Sequence, residues 1–111
     1  MWIGVDLDGT LAQQIDSVDS IGPPVPRMLR FVQDLLAAGE DVRIFTARAW
    51  PPDSIGSTKR IAQVQSWCQI HLGFRLPVTC IKDPDMRVLY DDRAVAVEPN
   101  TGRRLGYAKG Y

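Results

Sequence analysis

Four short apolar runs each stop abruptly on a polar residue: WIGV runs into Asp6, VRIF into Thr46, VTCI into Lys82 and RVLY into Asp91. Runs of this length, rich in β-branched and aromatic residues, read as short buried strands. Parallel strands of this kind put their carboxyl ends on one edge of a sheet, the edge on which open α/β folds hold ligands. Carboxylates, a hydroxyl and an ammonium would then meet in one place.

Between the runs the period changes from strand to helix. Residues 25–38, VPRMLRFVQDLLAA, put Met28, Leu29, Val32, Leu35 and Leu36 on one helical face, and Gly39 is a natural stop. Residues 47–57 hold two prolines, a glycine and two serines and read as a loop. A second helix is expected from near Ser57 or Thr58 to Leu72, with Ile61, Val64, Cys68 and Leu72 in helical spacing, Trp67 alongside and Gly73 closing it. AVAV, residues 94–97, is a further strand candidate.

Strands alternating with helices predict an α/β chain: a three-layer α/β/α Rossmann-like sandwich with a mostly parallel sheet and helices on both faces. One stretch resists this pattern. Lys82 to Met86, KDPDM, is far shorter than the dozen or so residues of an ordinary parallel crossover. Either VTCI is a short edge strand, or the crossover helix has shrunk to a turn.

With 111 residues the chain suits one domain, expected over residues 1–98, followed by a Gly-rich, basic tail at 99–111. That tail reads as a solvated, fraying end in preference to a phosphate-gripping arm. Thirteen basic residues balance thirteen acidic ones, which argues against a general basic field for nucleic acid or membranes. The start MWIGVD lacks the basic and apolar regions of a secretory segment, and a cytoplasmic location is expected. Cys68 and Cys80 have no metal or redox spacing and read as buried thiols. His71, the one histidine, lies in a helical segment, so a Ser-His-Asp or Cys-His mechanism is disfavoured; with Trp2 and Trp67 it reads as a packing residue.

The acids carry the chemistry. Asp6 and Asp8 flank Leu7 in VDLDGTL, and two carboxylates on one side of an extended segment repel unless a dication relieves them. Asp91 and Asp92 add two more, and an oxygen-only site that meets phosphate suits Mg²⁺. Gly9 marks a tight turn whose N–H groups are expected to cradle an anion, with Thr10 fixing the loop. Thr46 and Lys82 supply a hydroxyl and a positive charge for phosphoryl oxygens. Arg48 suits a substrate phosphate or carboxylate, or is a surface charge. Arg93 reads as a counter-charge to the neighbouring acids, and Trp50 as a stacking platform or a ring packed on Pro51 and Pro52.

VDLDGTL, Thr46 in FTAR, Lys82 in IKD and Asp91-Asp92 in LYDDRA resemble, in order and over residues 3–93, the four motifs of the haloacid dehalogenase (HAD) superfamily of phosphohydrolases. The resemblance implies an aspartyl-phosphate mechanism. Asp6 would be the nucleophile and Asp8 the general acid and base. Thr46 and Lys82 would hold the phosphoryl group, with Lys59 a rival for the lysine role. Asp6, the Asp8 carbonyl and one or both of Asp91 and Asp92 would surround Mg²⁺. Residues 12–24 and 47–57, where such enzymes insert a cap, are too short for one, implying a capless, open site. Such a site admits a phospho-sugar, a phosphoprotein or a phosphorylated nucleic-acid end, or is closed by a second subunit in a homo-oligomer. The DDR motif is also similar to the polynucleotide 3′-phosphatase branch. The rivals are a phosphate-sensing scaffold like a response-regulator receiver, in which the acidic pair follows the first strand, and a degenerate family member kept for binding.

Overall fold

A computed structural model describes residues 1–106. Strand β1 (Trp2–Val5) is buried throughout and lies between β2 (Val42–Phe45) and β4 (Met86–Tyr90). The two-residue strand β3 (Val78–Thr79) extends the sheet beyond β2, giving the order β3-β2-β1-β4 with every pairing parallel. The chain is therefore α/β with a Rossmann-like parallel sheet, and VTCI contributes only its first two residues to an edge strand.

Helix α1 (Pro26–Ala37) starts with proline in its first turn, where a missing N–H costs nothing, and Gly39 follows it at φ 81°. Helix α2 (Ile55–Leu72) begins two to three residues earlier than the spacing predicts. The cause is a capping box: the Ser54 hydroxyl accepts the Ser57 N–H, and the Ser57 hydroxyl accepts the Ser54 N–H. Gly73 at φ 83° ends the helix as expected.

The steps β1–α1–β2 and β2–α2–β3 move across the sheet in one direction, so right-handed crossovers set both helices on the same face. There Ile3, Val5, Val42 and Ile44 meet Val32, Val64, Cys68 and Leu72 in one core. Each such side chain contributes on the order of 1.5–3 kcal/mol on burial.

The step from β3 to β4 reverses direction and crosses the opposite face with residues 80–85. Trp2 on that face donates its indole N–H to Asp83 Oδ1 at 2.8 Å, and the Arg43 guanidinium lies 5.0 Å from the Trp2 ring centroid. The expected helical layer on this second face is thus replaced by a bare segment ending in a turn at Asp83–Met86, because six residues are too few for a crossover helix that also reaches the far strand.

The tail also differs from expectation. Ala96–Val97 (β5) and Arg104–Leu105 (β6) pair as a separate antiparallel hairpin across the 98/99 boundary, with Arg103 donating to Glu98 at 2.7 Å. AVAV adds no strand to the main sheet, and the remainder of the expected tail, 107–111, lies outside the described residues. Among the described residues no helix is long and apolar enough to cross a membrane.

Candidate active site

Pairing continues one residue past the strands: the Asp6 N–H donates to Tyr90 O and the Thr46 N–H to Thr79 O, both at 2.9 Å. This fixes Asp6, Thr46 and Asp91 on the carboxyl edge of neighbouring strands. The loop beyond Asp6 is anchored by Leu7 and Leu11, which are fully buried. Its acids are held by the core, not by solvent-facing turns alone.

One carboxylate oxygen from each of Asp6, Asp91 and Asp92 falls within 4.8 Å of the others. The Asp6 carboxyl is pushed up to about 7, first by burial, then by a hydrogen bond shared with Asp92 and by the charge of Asp91. Burial would raise Asp92 as well, but hydrogen bonds from Thr10 and Asp6 outweigh it and hold Asp92 below the usual carboxylate range. A half-buried carboxyl that keeps its proton to near neutrality is one whose ionisation a nearby cation would favour. An all-oxygen donor set of this kind fits a hard divalent ion such as Mg²⁺.

The turn after Asp6 works differently from the sequence expectation. The Gly9 N–H donates to Ala12 O and the Thr10 N–H to Leu7 O, so neither is free for an anion. Both residues instead brace Asp92. The Thr10 hydroxyl donates to Asp92 Oδ1 at 2.8 Å and accepts the Asp92 N–H at 3.0 Å. Gly9 has φ +89°, and a Cβ there would sit 2.7 Å from Asp92 Oδ2.

Asp8 pairs with Arg48, whose Nε and Nη2 donate to the two carboxylate oxygens at 2.8 Å each; Nη2 also reaches Ser20 O. The third nitrogen, Nη1, is buried and has no partner among the described residues. The Thr46 side chain is buried and caps the single 3₁₀ turn at Ala47–Ala49 by accepting the Arg48 N–H. Among the described residues its own hydroxyl proton has no acceptor.

Asp6, Asp8, Thr46, Arg48, Asp91 and Arg93 line one cleft of about 330 Å³, together with Gln14, Phe45 and Ala47. Lys82 does not line it, nor does Lys59; both are exposed. The reason for Lys82 is the truncation of β3: the sheet stops at Thr79, and the chain has already turned into the crossing segment three residues later. Arg93, expected as a counter-charge, makes no ion pair with the acids among the described residues and faces the cleft. Its signal was its place directly after the acidic pair. Gln14 and Phe45 carried none.

Trp2 and Trp67 are buried, and His71 lies against the Trp67 ring at 4.6 Å. Trp50 is 66% exposed. Cys68 is buried, and burial pushes its thiol up to about 11; Cys80 is only half-buried, with Sγ 3.4 Å from Ala49 O.

No family model matches the chain, and no curated protein matches it. Its fold is similar to that of a conserved protein from Bacteroides thetaiotaomicron, with a TM-score of 0.58 and 18% identity over 85% of this chain and 77% of that one. At this identity the likeness is one of fold.

Proposed function

We propose that the chain is a Mg²⁺-dependent phosphomonoester hydrolase on a capless α/β scaffold. The observation that carries this reading is the division of labour around one cleft: Asp6 clusters with Asp91 and Asp92, whereas Asp8, two residues on, is turned away from them onto Arg48. Two carboxylates of one loop thereby acquire different roles.

Asp6 attacks phosphorus, an Asp6–phosphorus bond forms as the ester P–O bond breaks, and Asp8, released from the Arg48 fork and protonated from solvent as substrate binds, delivers that proton to the departing oxygen. Water then attacks the aspartyl-phosphate, giving its proton to Asp8 and releasing phosphate and free Asp6. An ion-paired Asp8 is poised for that second half. Asp6, Asp91 and Asp92 would hold Mg²⁺, which when bound neutralises phosphoryl charge. The Thr46 hydroxyl and Arg93 face the same space and serve the phosphoryl oxygens, the role the sequence resemblance gave to Lys82.

Hydrolysis of p-nitrophenyl phosphate with Mg²⁺ and with EDTA tests the reading. Turnover that needs the metal and disappears in a folded Asp6→Asn variant is expected. Equal turnover by that variant refutes the nucleophile. The second reading is a non-catalytic phosphate-binding domain, favoured by the absence of any lysine from the cleft among the described residues; phosphate binding without turnover of any ester would select it.

A further inference from the structure

The cleft that holds Asp6 adjoins a second one of about 390 Å³. The two share Asp8, Gln14, Ala47 and Arg48, but Asp6, Thr46 and Asp91 line only the first, and Trp50, Val18 and Arg60 only the second. This partition has a direction. In an in-line displacement the leaving group departs opposite the nucleophile, and the proton donor stands beside the leaving oxygen. With Asp6 in the first cleft and Asp8 on the boundary, the leaving alcohol is directed into the second.

The second cleft has a distinct wall chemistry. Trp50 and Val18 are 66% and 82% exposed, an indole face and an aliphatic side chain left uncovered beside the site. The turn that carries the indole is fixed by Arg60, which donates Nε–H to Arg48 O and Nη2–H to Trp50 O, both at 2.7 Å. The Arg60 Nε and Nη2 donors are engaged by carbonyls and the Arg48 fork by Asp8, and Arg48 Nη1, which has no partner among the described residues, is buried. What remains is an aromatic and aliphatic surface with the Gln14 amide and the Ser17 hydroxyl at its margin. A planar ring with polar edges fits that combination, by stacking on indole and hydrogen bonding at its rim.

Resting on the phosphohydrolase reading, we propose that the substrate is a mononucleotide-sized phosphomonoester whose leaving alcohol carries a planar aromatic ring, stacked on Trp50. Trp50 is then a specificity-determining residue, and the Asp6 cleft binds the phosphoryl group alone. The volume is that of a small-molecule site, large enough for a ring and its sugar.

The test compares ligands that differ only by the ring. Binding of AMP, UMP and ribose 5-phosphate to the Asp6→Asn variant with Mg²⁺ is followed through tryptophan fluorescence, in which Trp50 is the exposed indole, and by calorimetry, which needs no indole. The two nucleotides are expected to bind roughly tenfold or more tightly than ribose 5-phosphate. Adding Trp50→Ala should bring that ratio close to one, and Trp50→Phe should keep most of it; an exposed position makes both variants foldable, as melting curves will verify. A ratio near one in the parent, or a ratio unchanged by Trp50→Ala, overturns the proposal. Hydrolysis is read separately in the wild type. Turnover of ribose 5-phosphate with no ring preference sinks the Trp50 inference and keeps the phosphatase, whereas a Trp50-dependent ratio without turnover of any ligand keeps the ring site and sinks the phosphatase.

Discussion

Arg48 grips Asp8 with both arms of a fork, Nε to Oδ2 and Nη2 to Oδ1 at 2.8 Å each, and links the pair to the Ser20 carbonyl. The side chains are only 11% and 21% exposed, so this is a partly buried pair and not a surface bridge. Its removal leaves a carboxylate with neither its charge partner nor its two donors. Arg48→Ala is expected to cost about 2–3 kcal/mol in denaturant unfolding. Arg48→Lys should recover less than half of that, because a point ammonium cannot reproduce the fork. Full recovery by lysine would show that charge alone matters there.

Arg93 and Lys82 offer a direct contest for the role of phosphoryl cation. Arg93 faces the cleft, and Lys82 does not. If catalysis depends on the charge that lines the site, Arg93→Ala should lower kcat/KM roughly tenfold or more, and Lys82→Ala by less than about threefold. The reverse ranking would mean that the crossing segment swings Lys82 inward when substrate binds.

The Asp6 carboxyl gives a pH signature. In the folded, metal-free chain it holds its proton to about 7, against an ordinary aspartate value of 3.8, with burial the largest cause. Between those values the folded state binds more protons than the unfolded one, so stability declines as pH rises and the loss is complete above about pH 7. Asp6→Asn should remove this part of the slope, seen as the difference between wild-type and variant melting temperatures across pH. Mg²⁺ competes with the same proton, so its stabilising effect should be small near pH 5 and grow towards pH 8, with affinity rising up to about tenfold per pH unit below 7. A Mg²⁺ effect independent of pH would remove Asp6 from the ligand set.

The parallel sheet and its acidic edge were legible because parallel strands are written as short apolar runs, and WIGV, VRIF and RVLY end where strands β1, β2 and β4 end. What escaped was set by tertiary geometry. KDPDM signalled a short crossover, but only the order of the strands shows that it must reach the far edge over Trp2 and so leave Lys82 outside the cleft. Ser57 looked like a helix start because it is half of a capping box whose other half is Ser54. Gly9 and Thr10 were correctly singled out for a tight turn, but which groups the turn serves depends on Asp92, 82 residues after Thr10. A partner that distant leaves no trace in local spacing.

That partnership makes Gly9 the most sensitive small residue near the site. A methyl group there would combine two penalties: a backbone at φ +89°, which L side chains rarely adopt, and a Cβ 2.7 Å from Asp92 Oδ2. Relief requires Asp92 to move, and its movement breaks the reciprocal Thr10 bonds that set its carboxylate beside Asp6. Gly9→Ala is therefore expected to lose about 1–3 kcal/mol of stability. It should also weaken Mg²⁺ binding by roughly tenfold or more, as measured by calorimetry on the folded variant. Thr10→Val tests the same brace from the other side: it keeps the buried volume and removes the hydroxyl, and it should weaken the metal without the backbone strain. If both variants bind Mg²⁺ as the wild type does, Asp92 is not held for the metal, and the cluster reduces to Asp6 and Asp91.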